Sequence, residues 1–278
     1  MARKVISNIQ QALKYIILAG VVISILYPLV FIIMGSLKDN TQIFTNPFGL
    51  PSAPNWHVYY KILVKNRFIV NVGNSLYYST TTTIFTLMIC LLAAYAITRM
   101  KWKLNGVFLG MLMVGIMIPG NAMILPLFVL TRKIGLSEPM ITLVLVYTAG
   151  AIPRTLFILS GFLKSIPRGI EEAAVIDGCN IWQVIFKIVT PVMLPAIATV
   201  CIFNFLSTWN DLLMSLIFIS ESSKMTIQTG LLMFQGIYKT DYGTMLAGVV
   251  VTILPVMIIY VLLQKQIIAG MTAGALKG

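Results

Sequence analysis

The sequence predicts an all-α integral membrane protein with about six transmembrane helices, and three observations predict it. Hydrophobic residues make up 58% of the 278 and charged residues only 10%, where a soluble domain carries about 25% charged residues. With a mean hydropathy of +0.92, lipid is the solvent that fits. Second, the apolar residues gather in long runs, and a spanning helix needs roughly 20 of them. Third, the runs do not alternate apolar with polar, as the strands of an outer-membrane barrel do over about ten residues. A helix in lipid satisfies its own backbone hydrogen bonds.

The first run is Tyr15 to Ser36, behind Arg3, Lys4 and Lys14. That charged start resembles a signal sequence. The run is too long for one and no small-x-small cleavage site follows, so an uncleaved span is expected. A loop from Leu37 to Gly73 contains Asn46-Pro47-Phe48-Gly49-Leu50-Pro51 and Pro54, turn residues that argue against a further span. The second run is Leu76 to Thr98, where Thr80 to Thr83 suit helix packing. The third is Gly106 to Leu130, and the fourth is Met140 to Leu163 with Arg154 near its centre. A polar segment, Lys164 to Thr190, precedes the fifth run, Pro191 to Ile219. The sixth is Gly243 to Leu263, followed by a tail over 265–278. From Gly270 to Gly278 that tail lacks apolar periodicity and reads as a frayed end. No short repeat or low-complexity tract divides the chain, so a single domain over 1–278 is expected.

The net charge is +12. No basic stripe interleaved with aromatics accompanies it, so nucleic acid is not an expected partner. Loops facing anionic lipid account for the charge. An even number of spans puts both termini on one side. Placing that side in the cytoplasm gathers Arg3, Lys4, Lys14, Lys164, Arg168, Lys187 and the cluster Arg99, Lys101, Lys103 there, as the positive-inside bias favours. Cys90, Cys179 and Cys201 are scattered and not metal-spaced, and with the lone His57 they read as structural.

The inner segment carries the most information. Pro167 suits a first helical turn, and Glu171 and Glu172 come near the positive end of the helix dipole. Ala173, Ala174 and Ile176 continue the helix, and Asp177-Gly178 breaks it. A second amphipathic stretch repeats Ile181, Trp182, Ile185 and Ile188 at helical spacing, and Pro191 closes it. This predicts a helix–turn–helix outside the membrane. Physics alone leaves two readings, an interfacial helix resting on lipid or a protein-docking element.

Glu172-Ala173-Ala174, then Gly178, Ile188 and Pro191, resembles the EAA loop of binding-protein-dependent ABC importer permeases. Thr190 stands where that family usually has Leu. Further motifs resemble its sugar-type permeases, similar to the smaller permease subunit of the maltose transporter. They are Asn74-Ser75-Leu76, Ala93-Ala94-Tyr95-Ala96 with Arg99, Pro119, Pro126-Leu127, Gly135-Leu136 and Trp209-Asn210-Asp211. The ending from Gly270 to Gly278 completes the set, so the resemblance runs nearly end to end.

The resemblance implies a permease subunit of an ATP-driven carbohydrate importer, working with a second homologous permease, an ATPase dimer and an extracytoplasmic solute-binding protein. It implies a multi-pass protein of a bacterial-type cytoplasmic membrane, with ATP and Mg on the ATPase. Glu171, Glu172, Ala173, Ala174, Asp177 and Gly178 would form the ATPase-coupling helix, and Thr272, Gly274 and Lys277 would reach the ATPase interface. The loop residues Trp56, Tyr59, Tyr60, Lys61 and Lys65 would meet the binding protein or form an interfacial aromatic belt.

The chain itself has no G-x-x-x-x-G-K-[ST] phosphate loop and no nucleophile–base set, so no catalytic residue, cofactor or metal is expected on it. Polar groups within spans mark pathways or glue helices together. Asn204, Ser207, Thr208, Trp209, Asn210 and Asp211 cluster in the fifth run and offer what a sugar needs. Arg154 would line the pathway, pair with Asp211 or snorkel to the interface. The alternatives are the same importer class for a peptide or phosphate ester, or a secondary transporter, for which Asp211 is the sole intramembrane acid.

Overall fold

A computed structural model describes residues 2–100, 103–235 and 241–275, leaving aside the side chains of 2–7, 9 and 266–275. Lys101, Lys239 and Lys277 lie outside these residues. Every regular element among them is helical. In chain order the helices are α1 (Ala2–Ser36), α2 (Asn40–Thr45) and α3 (His57–Tyr60, continuing as a π-helix over Lys61–Lys65). Then come α4 (Phe68–Arg99), α5 (Asn105–Met117), α6 (Ile124–Lys133, led by a 3₁₀ turn at Gly120–Met123), α7 (Pro139–Ser165) and α8 (Gly169–Ile176). They are followed by α9 (Ile181–Gln183, continuing as a π-helix to Val189), α10 (Thr190–Val192) and α11 (Leu194–Trp209). The last are α12 (Leu213–Phe218), α13 (Ile227–Leu232) and α14 (Tyr242–Ala275).

Four stretches are single helices long and apolar enough to span, and two helix pairs qualify if each bent pair is one span, giving six. The bends correct the sequence reading. The third run is not straight: its two helical parts meet at 95°. Pro119 supplies no N–H and holds Ile118 extended, at ψ 122°. The fifth run is not one helix either. The amphipathic stretch runs through Pro191 to Val192 and meets α11 at 78°. Pro195 lies in the first turn of α11, where its missing N–H costs little. Helix α11 then stops at Trp209, and α12 restarts at Leu213. The Asp211 carboxylate accepts the Ser215 N–H at 3.1 Å, a side-chain competitor for the backbone ladder. Two ends also move outward: α4 begins at Phe68, about two turns before Leu76, and α14 stays helical to Ala275 rather than fraying at Gly270.

The chain divides into two compact units. One comprises 1–69 and 231–254. Its α3 packs on the start of α14 through Val58, Ile62 and Ala247. Buried Lys38 donates to the carbonyls of Asn46 and Pro47, at 2.8 and 3.1 Å, and so holds the proline-bounded turn. The most apolar part of α1 is exposed on every side, as suits a helix meeting lipid.

The other unit comprises 70–230 and 255–278. Here α7 packs against both α5 and α11. Gly115 of α5 permits the first approach, because a Cβ there would lie 3.0 Å from the Pro153 ring. One core gathers Cys90, Ala94, Leu156, Leu163, Val189 and Val200. Asn74 and Ser75, read as a motif, prove to be pins. Asn74 donates to the carbonyls of Ser223 and Met225 at 2.9 and 3.0 Å, and Ser75 accepts the Ile227 N–H at 2.7 Å.

Candidate functional site

Two features carry chemistry, and both lie within the second unit. The first is α8 with its turn. Gly178 sits at φ +87°, where a side chain would be strained. Its N–H bonds to Val175 O at 3.0 Å and the Cys179 N–H to Ala174 O at 2.9 Å, the paired closure of a Schellman cap. Asn180 and Gln183 then form a capping box that starts α9. The helix–turn–helix is therefore built by its own backbone satisfaction.

The six residues grouped as coupling residues divide between two faces. Glu171 and Ala174 turn inward and are buried. Glu171 accepts from Arg99 Nε at 2.6 Å and from the Tyr95 hydroxyl at 3.0 Å. Arg99 also donates to the Ile166 carbonyl at 2.9 Å, and Arg168 to the Thr98 carbonyl at 3.2 Å. The end of α4 and the start of α8 are thus latched together. The Glu171 carboxylate is thus engaged inside the chain, where it fixes α8 to the end of α4. Glu172, Ala173, Val175, Ile176, Asp177 and Gly178 are exposed, with Ile176 at 85%. Beside them Trp182 stacks on Phe186 with ring centroids 6.2 Å apart, also exposed.

The second feature is an open-sided cleft of about 350 Å³ between α5, α7 and α11. Of the six residues read as a pathway, it brings together Arg154, Asn204, Thr208 and Asp211, and Ser207 joins them. It leaves out Trp209, which is fully buried and stacked on Phe205 at 5.5 Å. Asn210 caps α11 and does not line the cleft either. Arg154 does not pair with Asp211. It donates to Asn204 Oδ1 at 3.3 Å and Phe203 O at 3.5 Å, and its guanidinium lies 5.9 Å from the Phe203 ring centroid. Asp211 instead accepts from the Tyr147 hydroxyl at 2.7 Å. Tyr147 and Asn121 were missed by sequence reasoning. A lone hydroxyl inside an apolar run, and an amide beside the helix-breaking Pro119, were the available signals. Thr272 and Gly274 lie on the backbone of α14, and Lys277 is outside the described residues. Among the described residues no cluster could hold a metal ion.

These helices define a polytopic membrane protein with a polar cleft among its spans and a latched helix carrying an exposed apolar face. Residues 86–272 match the family described as binding-protein-dependent transport system inner membrane component, and the chain belongs to that family. It is 33% identical over 257 residues to the probable ABC transporter permease protein YurM of Bacillus subtilis, covering 92% of this chain and 85% of that one. It is 34% identical over 272 residues to the multiple sugar-binding transport system permease protein MsmG of Streptococcus mutans, covering 95% and 96%. The fold also matches a chain of a solved bacterial ABC transporter involved in the import of the acidic polysaccharide alginate. There the TM-score is 0.80 at 22% identity, with 93% of this chain and 96% of that chain covered. Family membership sets aside the secondary-transporter alternative.

Proposed function

We propose that the chain is a permease subunit of an ATP-driven carbohydrate importer and forms half of its translocation pathway. It sits in the cytoplasmic membrane with both termini and α8 in the cytoplasm. Its partners are a second homologous permease, an ATPase dimer that binds ATP and Mg and performs the hydrolysis, and an extracytoplasmic solute-binding protein. The observation that carries the reading is α8: a short helix held rigidly to the end of α4 by Arg99 and Glu171, with an apolar and acidic face left uncovered. A lever needs those two properties, a fixed joint to a span and a free face for the motor. Relatives named for multiple sugar-binding, trehalose and diacetylchitobiose transport support the solute class.

In this reading ATP favours one state of the ATPase dimer, and α8 passes that preference to the spans. ATP shifts the equilibrium only as far as it binds one state better than the other. Glu172, Val175 and Ile176 contact the ATPase, while Asn204, Ser207, Thr208 and Tyr147 meet sugar hydroxyls. The test is ATP-dependent uptake of labelled oligosaccharides by vesicles holding all four components. Uptake that needs every component supports the reading. An assembled, ATP-hydrolysing complex that takes up no carbohydrate contradicts the solute class.

A further inference from the structure

Arg154 lies within a span, and a cation there is costly unless a partner neutralises it. Among the described residues, no carboxylate comes within 4.0 Å of its guanidinium. The one acid that lines its cleft, Asp211, takes the Tyr147 hydroxyl and the Ser215 N–H on its Oδ2 and makes no ion pair with Arg154. Arg154 spends a single nitrogen on two long bonds, 3.3 Å to Asn204 Oδ1 and 3.5 Å to Phe203 O. Among the described residues, Nε and the other terminal nitrogen have no hydrogen-bond acceptor, and they form the fork that grips an oxyanion in two parallel bonds. Asn204 itself is fixed by Thr155, which donates to its Oδ1 at 3.2 Å and accepts from its Nδ2 at 3.0 Å. The arginine is therefore aimed by a buried amide–hydroxyl pair. It also opens onto a cleft of about 350 Å³, within the range of about 300–1,000 Å³ for ligand pockets. Around it, Asn121, Ser207, Thr208 and the Tyr147 hydroxyl supply partners for uncharged hydroxyls.

We infer that the cleft takes an acidic sugar, a carbohydrate bearing a carboxylate, sulfonate or phosphate, and that Arg154 supplies its counter-charge. The inference rests on the carbohydrate-importer reading and narrows it. Asp211, held by its own donors, sits on the wall where a neutral hydroxyl of the same solute donates. Loss of the fork is expected to cost roughly ten- to a hundredfold in uptake of the charged solute, the worth of a charge-assisted hydrogen bond.

The experiment uses the complete importer in proteoliposomes and measures ATP-dependent uptake. The panel holds neutral oligosaccharides and length-matched counterparts carrying a carboxylate, sulfonate or phosphate. The expected result is preferred uptake of a charged member. R154Q should lose it at least tenfold in complexes that assemble, and R154K should recover part of it. If only neutral sugars are carried, or R154Q carries the charged sugar as well as the native chain, the inference is overturned and the importer reading stands. Failure of R154Q to assemble, with R154K restoring assembly and every sugar equally, also overturns it, because Arg154 then pairs with a carboxylate of the second permease. If an assembled, hydrolysing complex carries no carbohydrate at all, the importer reading falls with it.

Discussion

Successive side chains on a helix point about 100° apart, so Glu171 enters the latch while its neighbour Glu172 stays exposed. The Arg99–Glu171 pair is 2.6 Å long and about nine-tenths buried on both sides. Removing one partner of such a pair strands a charge, a loss of about 3–5 kcal/mol. E171A and R99A are expected to lower thermal stability strongly. R99M combined with E171L should cost less than the sum of the single changes, with a coupling of about 1–3 kcal/mol in a double-mutant cycle. E172A should leave stability unchanged and yet cut uptake, with uptake and thermal melting measured side by side. Trp209 makes the opposite case. The sequence groups it with the fifth-run cluster that offers what a sugar needs, but it is fully buried, and W209A is expected to destabilise by about 3–5 kcal/mol.

At the scale of elements, the breaks matter more than the helices. Length and apolarity identify each span but are blind to a bend inside a run. Pro119 and Pro195 were visible in the sequence, yet a proline is tolerated inside long helices too, as Pro28 and Pro153 show. The break at Asp211 depends on a carboxylate reaching a backbone N–H, which hydropathy cannot report. The cap at Gly178 was legible because its physics is local. Gly178→Ala is expected to cost about 1 kcal/mol, since φ +87° disfavours a Cβ. Gly230 was not legible: its constraint is Asn71, whose Cγ would lie 2.8 Å from an added Cβ. Glu138 caps α7 and receives Lys224 at 3.2 Å. The Ile141 N–H, with help from Lys224, holds its carboxyl below the usual glutamate range. A depressed carboxyl stabilises the fold above its unfolded value and loses that contribution as pH falls through the folded value. E138Q should therefore lower stability at neutral pH and flatten the acid limb of a stability profile, its difference from the native chain vanishing at low pH.

For the whole molecule, sequence motifs pointed to a coupling helix and a polar cleft but not to the contacts that set their geometry. The latch joins Arg99 to Glu171, 72 positions apart, and no local pattern reports such a pair. The cleft draws on three helices that only packing brings together. In the proposed importer the two faces of α8 divide the labour: one belongs to the chain, the other to the ATPase. A photo-crosslinking residue placed at Ile176, which is 85% exposed, tests this most directly in the complete importer. The expected result is a crosslink to the ATPase subunit whose yield changes when ATP is added. A crosslink to lipid alone, with the complex assembled and hydrolysing, would contradict it and return α8 to the role of a helix resting on the membrane surface.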